Sequence, residues 1–425
     1  MVSGNDEFAL ERFGNVETEH DAAVVADGEG ERCLPAAAEE IDSADELYFI
    51  AEHLEQYRHP TRDPEAYLHR CLAIDPLDAR ANLALGKRHL SRGQFAEARA
   101  FLEAAVSRVS ARHPNPVTGE AHYFLGLTVR FLGHEATAET LFAKAAWNYE
   151  WRSSSNYQLA TLSCRRGDFT RALHHLEESL ATNRDHNKAR TLTALSLHRL
   201  ARNDEALDIL GALLATDPLD HWATVVADFI THARISIPAA SRNDAQTILD
   251  LVFDFADAGF ALEAVALIDA HHAAAVEDCA VPNPLASSQM TRYVRAWLTA
   301  DPADLAAARK QSPDYFFPSR LEEMLILEWA GDPLAAYGLG NLYYDKRRHN
   351  DAIAAWETAE SSAISQVHRN LAIARWNVHR DGDAACAGYL KAIKLDPADA
   401  RLVSEFDQLR AKLNDPLEDR LAFLE

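Results

Sequence analysis

The chain has 425 residues, is 48% hydrophobic and 25% charged, and carries only 17 Gly and 16 Pro. That composition suits a folded helical protein and excludes wholesale disorder. Its 42 Lys+Arg against 65 Asp+Glu give a formal net charge of -23, which argues against nucleic acid or anionic lipid as partner, because affinity for phosphates comes from clustered cations.

The cysteines Cys33, Cys71, Cys164, Cys279 and Cys386 are odd in number, far apart and never in a C-x-x-C arrangement. Neither a disulfide framework nor a zinc site is expected from them, and a reducing cytoplasm fits. No apolar run approaches the roughly 18 residues that span a bilayer. The N-terminus, MVSGNDEFALERFGNVETEHD, is acidic where a signal peptide would be basic and then apolar. The expectation is a soluble cytoplasmic protein without membrane contact.

Residues 1–40 are acidic and without period and read as a disordered leader. Helix pairs are expected from about Asp45 onward. In LALGKRHLSRGQFAEARAFLEAA, Leu85 and Gly86 lie on a first helix, Gly93 makes the turn, and Ala98, Leu102 and Ala105 share one face of a second helix. After a connection lengthened over Arg108–Thr118, Leu125, Gly126, Gly133, Ala138, Phe142 and Ala145 repeat the pattern. Leu159, Ala160, Gly167, Ala172, Leu176 and Ser179 repeat it again, and Ala194, Ala206, Leu210 and Pro218 continue it. Gly126, Ala160 and Ala194 follow one another at steps of 34 residues, the tetratricopeptide period of about 34. The small residues let two antiparallel helices approach closely, while larger side chains fill the flanking holes.

AIDPLD (Ala73–Asp78), ATDPLD (Ala215–Asp220) and KLDPAD (Lys394–Asp399) each end one helix before Pro and offer an Asp to cap the next. The match decays over residues 228–244, where ISIPAASRND breaks the array. It returns in ILDLVFDFADAGFALEAVALID, with Gly259 at the turn and Ala264 at the crossing. Asp301–Arg320 forms a shorter unit with QSPDYFFPSR as connector. Leu339, Gly340, Ala352, Trp356 and Ala359 mark a further pair, and Asp399–Glu425 reads as a polar cap. The fold class is therefore all-α, a right-handed solenoid of antiparallel helix pairs. It is organised as a leader (1–40), an N-terminal array (41–227), an irregular connector (228–244) and a C-terminal array (245–425).

Several strings are more specific than the period requires: HLEQYRHPTRDPEAY, HPNPVTGEAHYFLGL, AAWNYEWRSSSNYQLA, DYFFPSRLEE, LGNLYYDKRRHNDAIAAWE and VHRNLAIARWNV. Together they resemble the C-terminal tetratricopeptide half of a family of large bacterial proteins. In that family an uncharacterised β-sandwich, itself similar to aldose mutarotases and carbohydrate-active enzymes, precedes the repeats. No counterpart of the sandwich is recognised here, so the resemblance implies that any catalytic residues lie outside this chain.

Reactive constellations are missing from the sequence. His174-His175 and His271-His272 are adjacent pairs, whereas a helical metal site wants histidines four residues apart. Glu177-Glu178 and Glu322-Glu323 read as solvated helix faces. Cys164 precedes Arg165 and Arg166 but has no evident base, so packing is the expected role. Trp147, Trp151, Trp356 and Trp376 fall at helical spacing and are expected to pack between helices, with Trp151 the one whose exposure most needs checking. No catalytic residue, cofactor or metal is assigned, and the chain reads as a non-enzymatic protein.

The first helix of each pair should line a concave groove. In this register the groove takes Lys87, Tyr123, Arg130, Tyr157, Arg165, His198, Arg199, Tyr337, Asn341, Tyr344, Asn370 and Asn377. Tyr and Arg are common interface anchors, and a basic lining in an acidic protein suits an acidic peptide. A carboxylate clamp is not reproduced, since Gln158 and Leu192 stand where Asn would be needed. The expected partner is a protein or peptide, either an acidic segment or a separately encoded β-sandwich. The alternative is the accessory half of a carbohydrate-active enzyme, with glycan contacts from aromatic residues such as those of NLYYD (Asn341–Asp345). Self-association through an uncapped first repeat is a third reading.

Overall fold

The computed structural model describes residues 35–57, 62–242, 244–277 and 288–424. Most of the expected leader, with Cys33, and also Cys279, Asn243 and Glu425 lie outside them. The described residues form 22 α-helices, two short 3-10 turns and no strand, an all-α solenoid. No described helix is long and apolar enough to cross a membrane.

The chain divides into two compact units. The first comprises Ala38–Tyr57 and Asp63–Lys310. Its helices are α1 (Ala44–Gln56), α2 (Pro64–Ile74), α3 (Ala79–Ser91), α4 (Phe95–Ser110), α5 (Glu120–Phe131), α6 (Glu135–Ala145), α7 (Tyr149–Arg165) and α8 (Phe169–Thr182). They continue with α9 (Asn187–Arg199), α10 (Asn203–Thr216), α11 (His221–His232), α12 (Ala245–Asp257), α13 (Ala261–Glu277), α14 (Gln289–Thr299) and α15 (Pro302–Ala308). The second unit draws its helices from Gln311 onward and holds α16 (Leu321–Ala330), α17 (Pro333–Asp345), α18 (His349–Thr358), α19 (Ser365–His379), α20 (Gly382–Leu395), α21 (Ala400–Lys412) and α22 (Leu417–Leu424).

Within each pair the small crossing residues are fully buried: Ala98, Ala138, Ala172, Ala206, Ala264 and Ala352. The glycine on the facing helix is as tightly enclosed. A Cβ on Gly86 would lie 2.5 Å from Leu102 Cγ, one on Gly126 2.7 Å from Phe142, and one on Gly340 2.3 Å from the Trp356 indole nitrogen. The pairs are therefore closed by small residues packed against large ones.

The turn between the two helices of a pair needs one left-handed residue. Gly93, Gly133, Gly167 and Gly259 supply it, while Ala201 (φ 60) and Arg347 (φ 61) take the same position without glycine's freedom. The three repeated connectors end helices as their sequences imply. Asp78 accepts from the amides of Arg80 and Ala81, Asp220 from that of Ala223 and Asp399 from that of Arg401.

Between α11 and α12 the chain leaves helical geometry through Ala233 (φ 51) and a 3-10 turn at Ala239–Ser241. Asp244 then caps α12 by accepting from the Gln246 and Thr247 amides.

Two expectations are corrected. Trp147 is 67% exposed, because α6 ends at Ala145 and Trp147 falls in the turn to α7, off both helix faces. Trp151 is the one that packs, against the rings of Tyr123 and Phe124. Glu323 is buried and not solvated. It sits in the first turn of α16, where its carboxylate accepts from the Ser319 and Arg320 amides and from the Arg320 guanidinium and so satisfies donors that the helix start leaves open.

Candidate functional site

In the first unit, α1, α3, α5, α7 and α9 are the first helices of successive pairs, whose shared face is expected to form the groove, and that face divides into an open part and a filled part. The open part lies over α1 and α3. Tyr48, Glu52, Glu55, Leu68, Lys87 and Arg88 are among the residues lining a cavity of ≈ 510 Å³ there. Its floor is apolar and its rim charged. Lys87 bridges to Glu120 at 2.8 Å and stands 5.0 Å from the centre of the Phe124 ring. Arg88 meets Glu55 and Glu65, whereas Glu52 has no salt bridge among the described residues. Burial, then the Glu52 charge, raises the Tyr48 phenol above its usual range.

The filled part lies over α5, α7 and α9, where most of the expected groove residues of this unit sit. The end of α12 and the start of α13 occupy it. Asp254 meets Lys188 at 2.6 Å, Asp257 meets Arg130 at 2.8 Å, and Glu263 meets Arg199 at 2.5 Å. Arg130 also donates to the Gln158 side chain at 2.5 Å. Between these ion pairs the α12–α13 turn rests on the array: a Cβ on Gly259 would lie 2.8 Å from Arg165 Cα. The Phe260 ring lies 6.1 Å from Phe169 and 5.0 Å from the Arg199 guanidinium carbon.

Asp254 and Asp257 stand in the last turn of α12, which has no basic residue of its own. A carboxylate there opposes the helix dipole, so the cations that offset it come from α5 and α9. Burial pushes Asp254 above the ordinary carboxylate range, against the pull of Lys188. Tyr157, beneath both aspartates, is raised well above the usual phenol range by burial first and then by the Asp254 and Asp257 charges.

The remaining expected groove residues of this unit have local duties. The Tyr123 ring lies 4.9 Å from that of Trp151, and Tyr157 4.8 Å from His186, both tilted, each joining one repeat to the next. Arg165 bridges to Glu135 at 2.9 Å. His198 hydrogen-bonds Asn203 at 2.8 Å and abuts Phe229.

In the second unit the expected groove residues bond to one another. Asn341 donates to the Phe316 carbonyl at 2.9 Å, Asn370 donates to Asn341 at 2.8 Å, and Asn377 donates to the Tyr344 hydroxyl at 3.4 Å. Tyr337 departs from the expectation: it is buried, with its ring 6.4 Å from Phe316, which packs closely on the neighbouring Gly338. Next to this ladder, Arg369 grips Glu405 with Nε at 2.7 Å and Nη2 at 2.5 Å, and Tyr389 donates to the same carboxylate.

None of the histidine pairs gathers ligands, and among the described residues no group of three His, Cys, Asp or Glu could hold a metal ion. Cys164 is buried against Ser196, and burial pushes its thiol up to about 11. Sequence reasoning missed Lys188, Asp254, Asp257 and Glu263. The signal available for them was the acidic DFADAGFALE string following a broken period.

Two family models match part of the chain, within residues 65–213. One, described as tetratricopeptide repeat, matches residues 65–115 and 83–150. The helix pairs within residues 65–150 therefore match the tetratricopeptide pattern. The other, described as anaphase-promoting complex, cyclosome, subunit 3, matches residues 132–213.

Among solved structures, the chain is similar to YrrB, described as a TPR protein with an unusual peptide-binding site (20% identity, 46% of this chain and 95% of that chain, TM-score 0.37). It is also similar to MamA (16% identity, 47% and 100%, TM-score 0.36). A longer match joins it to the anaphase-promoting-complex hetero-tetramer Cut9-Hcn1 (13% identity, 89% and 94%, TM-score 0.29).

Proposed function

We propose that the chain is a non-catalytic scaffold whose open concave face over α1 and α3 holds a segment of a partner protein. The observation that carries this reading is the cavity of ≈ 510 Å³ between those helices. It combines an apolar floor of Ala51, Leu68 and Ala84 with the Tyr48 ring and the unbridged carboxylate of Glu52. An apolar centre with a polar rim is how protein interfaces are commonly built. An aromatic anchor beside an uncompensated carboxylate favours a segment that brings a basic or amide side chain next to an apolar one.

The earlier expectation of an acidic segment bound through Arg130 and Arg199 loses ground, because both guanidinium groups already meet carboxylates of this chain. The glycan reading gains no support from NLYYD: Asn341 bonds Phe316 and Asn370, Tyr343 donates to Glu328, and Tyr344 accepts from Asn377.

The test is site-specific photocrosslinking in the native cell, with the photoreactive residue at Tyr48 or Ser91 and, as control, at the exposed Leu262. A discrete protein adduct from the first two positions, lost on Glu52→Arg and absent from the control, is expected. Adducts of equal yield from all three positions, or none from Tyr48 and Ser91, would overturn the proposal.

A further inference from the structure

We infer that the concave face over α5, α7 and α9 is a recognition site for an acidic helix end, and that residues Asp254–Glu263 of the same chain are its built-in ligand, excluding acidic segments of other proteins. The juxtaposition has four independent parts. Lys188–Asp254, Arg130–Asp257 and Arg199–Glu263 pair three cations of the array with three carboxylates of one short segment. Gly259 closes on the Arg165 backbone so tightly that a side chain has no room. Phe260 inserts beside Phe169 and under the Arg199 guanidinium. Finally, the segment is preceded by the non-helical stretch around Ala233 and Ala239–Ser241, which breaks the repeat and redirects the chain.

A continuing array would stack its next pair on α11 and leave the concave side free. Here the chain places two carboxylates one helical turn apart, at the disfavoured end of α12, where only the array's cations offset them. The order of chemistry is therefore specific: a carboxylate, two residues, a carboxylate, an alanine, a left-handed glycine, a phenylalanine, and a glutamate three residues further on. One carboxylate oxygen of Glu263 is buried with no hydrogen-bond partner while the other accepts from Arg199, so Arg199 is the group that holds this charge in place. The site differs from the open face over α1 and α3, and its test does not depend on finding a partner there.

The probe is a fluorescein-labelled synthetic peptide of residues 250–264, DLVFDFADAGFALEA, added to the full chain. With the wild type, anisotropy should show no binding, because the site is filled. In the variant Asp254→Lys, Asp257→Lys, Glu263→Lys, the segment should lose hydrogen-exchange protection and the peptide should bind, at least tenfold more weakly as salt rises from about 0.05 to about 0.5 M.

Binding to the wild type that weakens on Arg130→Asp would overturn the inference, because the face would then be open. So would release of the segment without peptide binding, or unchanged protection in the triple variant. Should the triple variant not fold, the charge swap decides. Arg130→Asp should lower protection of residues 250–264, and adding Asp257→Arg should restore it; failure to restore it would equally count against the site.

Discussion

Arg130 and Asp257 are 127 residues apart in sequence and meet at 2.8 Å, joining the end of α5 to the end of α12 across the inner side of the first unit. The contact covers part of the inner side of these repeats with carboxylates of the same chain. A neighbouring pair, Arg199–Glu263, is the more exacting one, because Glu263 is buried with one oxygen lacking a partner. Removing one member of such a pair leaves an uncompensated charge.

Arg199→Leu should therefore destabilise the first unit by about 2 kcal/mol. Arg202→Leu, which breaks only the exposed pair with Glu205, should leave stability essentially unchanged. Urea unfolding of both variants followed by circular dichroism checks the contrast, and equal effects would refute it.

Ala201 holds a left-handed backbone (φ 60) at the turn where Gly167, one repeat earlier, holds the same conformation (φ 75). An L-residue pays about 1 kcal/mol for that geometry. Ala201→Gly should raise the melting temperature, and Gly167→Ala, which has open space around a new Cβ, should lower it. The opposite signs at equivalent positions are the readout.

Overpacking the helix crossings should cost on the order of 1–3 kcal/mol, tested by Ala138→Leu and Ala172→Leu, both at fully buried sites. Gly340→Ala in the second unit should be comparably severe. Its Cβ would displace the Trp356 ring, which donates its indole N–H to the Tyr337 carbonyl at 3.2 Å. Unchanged thermal unfolding of any of the three would contradict the pairing.

His272, on α13, is lowered to about 4, by burial first and then by the charges of Arg292 and His271. Its ring nitrogen hydrogen-bonds Thr291 at 2.9 Å, and because that hydroxyl donates to the Ser288 carbonyl, the histidine donates to it. The unfolded chain takes up this proton near pH 6.5 and the folded chain only near 4, so the stabilising contribution is complete above 6.5 and is lost as pH falls towards 4. It amounts to at most about 3 kcal/mol. His272→Gln should flatten the fall in stability between pH 7 and pH 5 measured by urea unfolding; an unaltered slope would place the acid sensitivity elsewhere.

The repeat architecture was legible because its determinants are local. Ala138, Ala172 and Ala206, the glycines at the turns and the capping aspartates of the three DP connectors each act within one helix pair or its junction, so a period of 34 residues exposes them. The closure of the inner face was not legible, because periodicity relates neighbours and carries no information on a contact such as Arg130–Asp257. The same limit explains why Arg130, Tyr157 and Arg199 read as a basic lining when their charges and rings lie under α12 and α13. Glu323 and Trp147 were misread for a simpler reason: both sit at helix ends, where the helical face that periodicity describes no longer applies.

The central claim is most directly tested by a double-mutant cycle on Arg130 and Asp257, read from hydrogen exchange of the amides in residues 250–264 at low salt. The account predicts that Arg130→Leu and Asp257→Leu each reduce protection about tenfold and that the double variant is little worse than either, a coupling of at least about 1 kcal/mol. Additive losses, or single variants that leave this segment as protected as in the wild type, would contradict it.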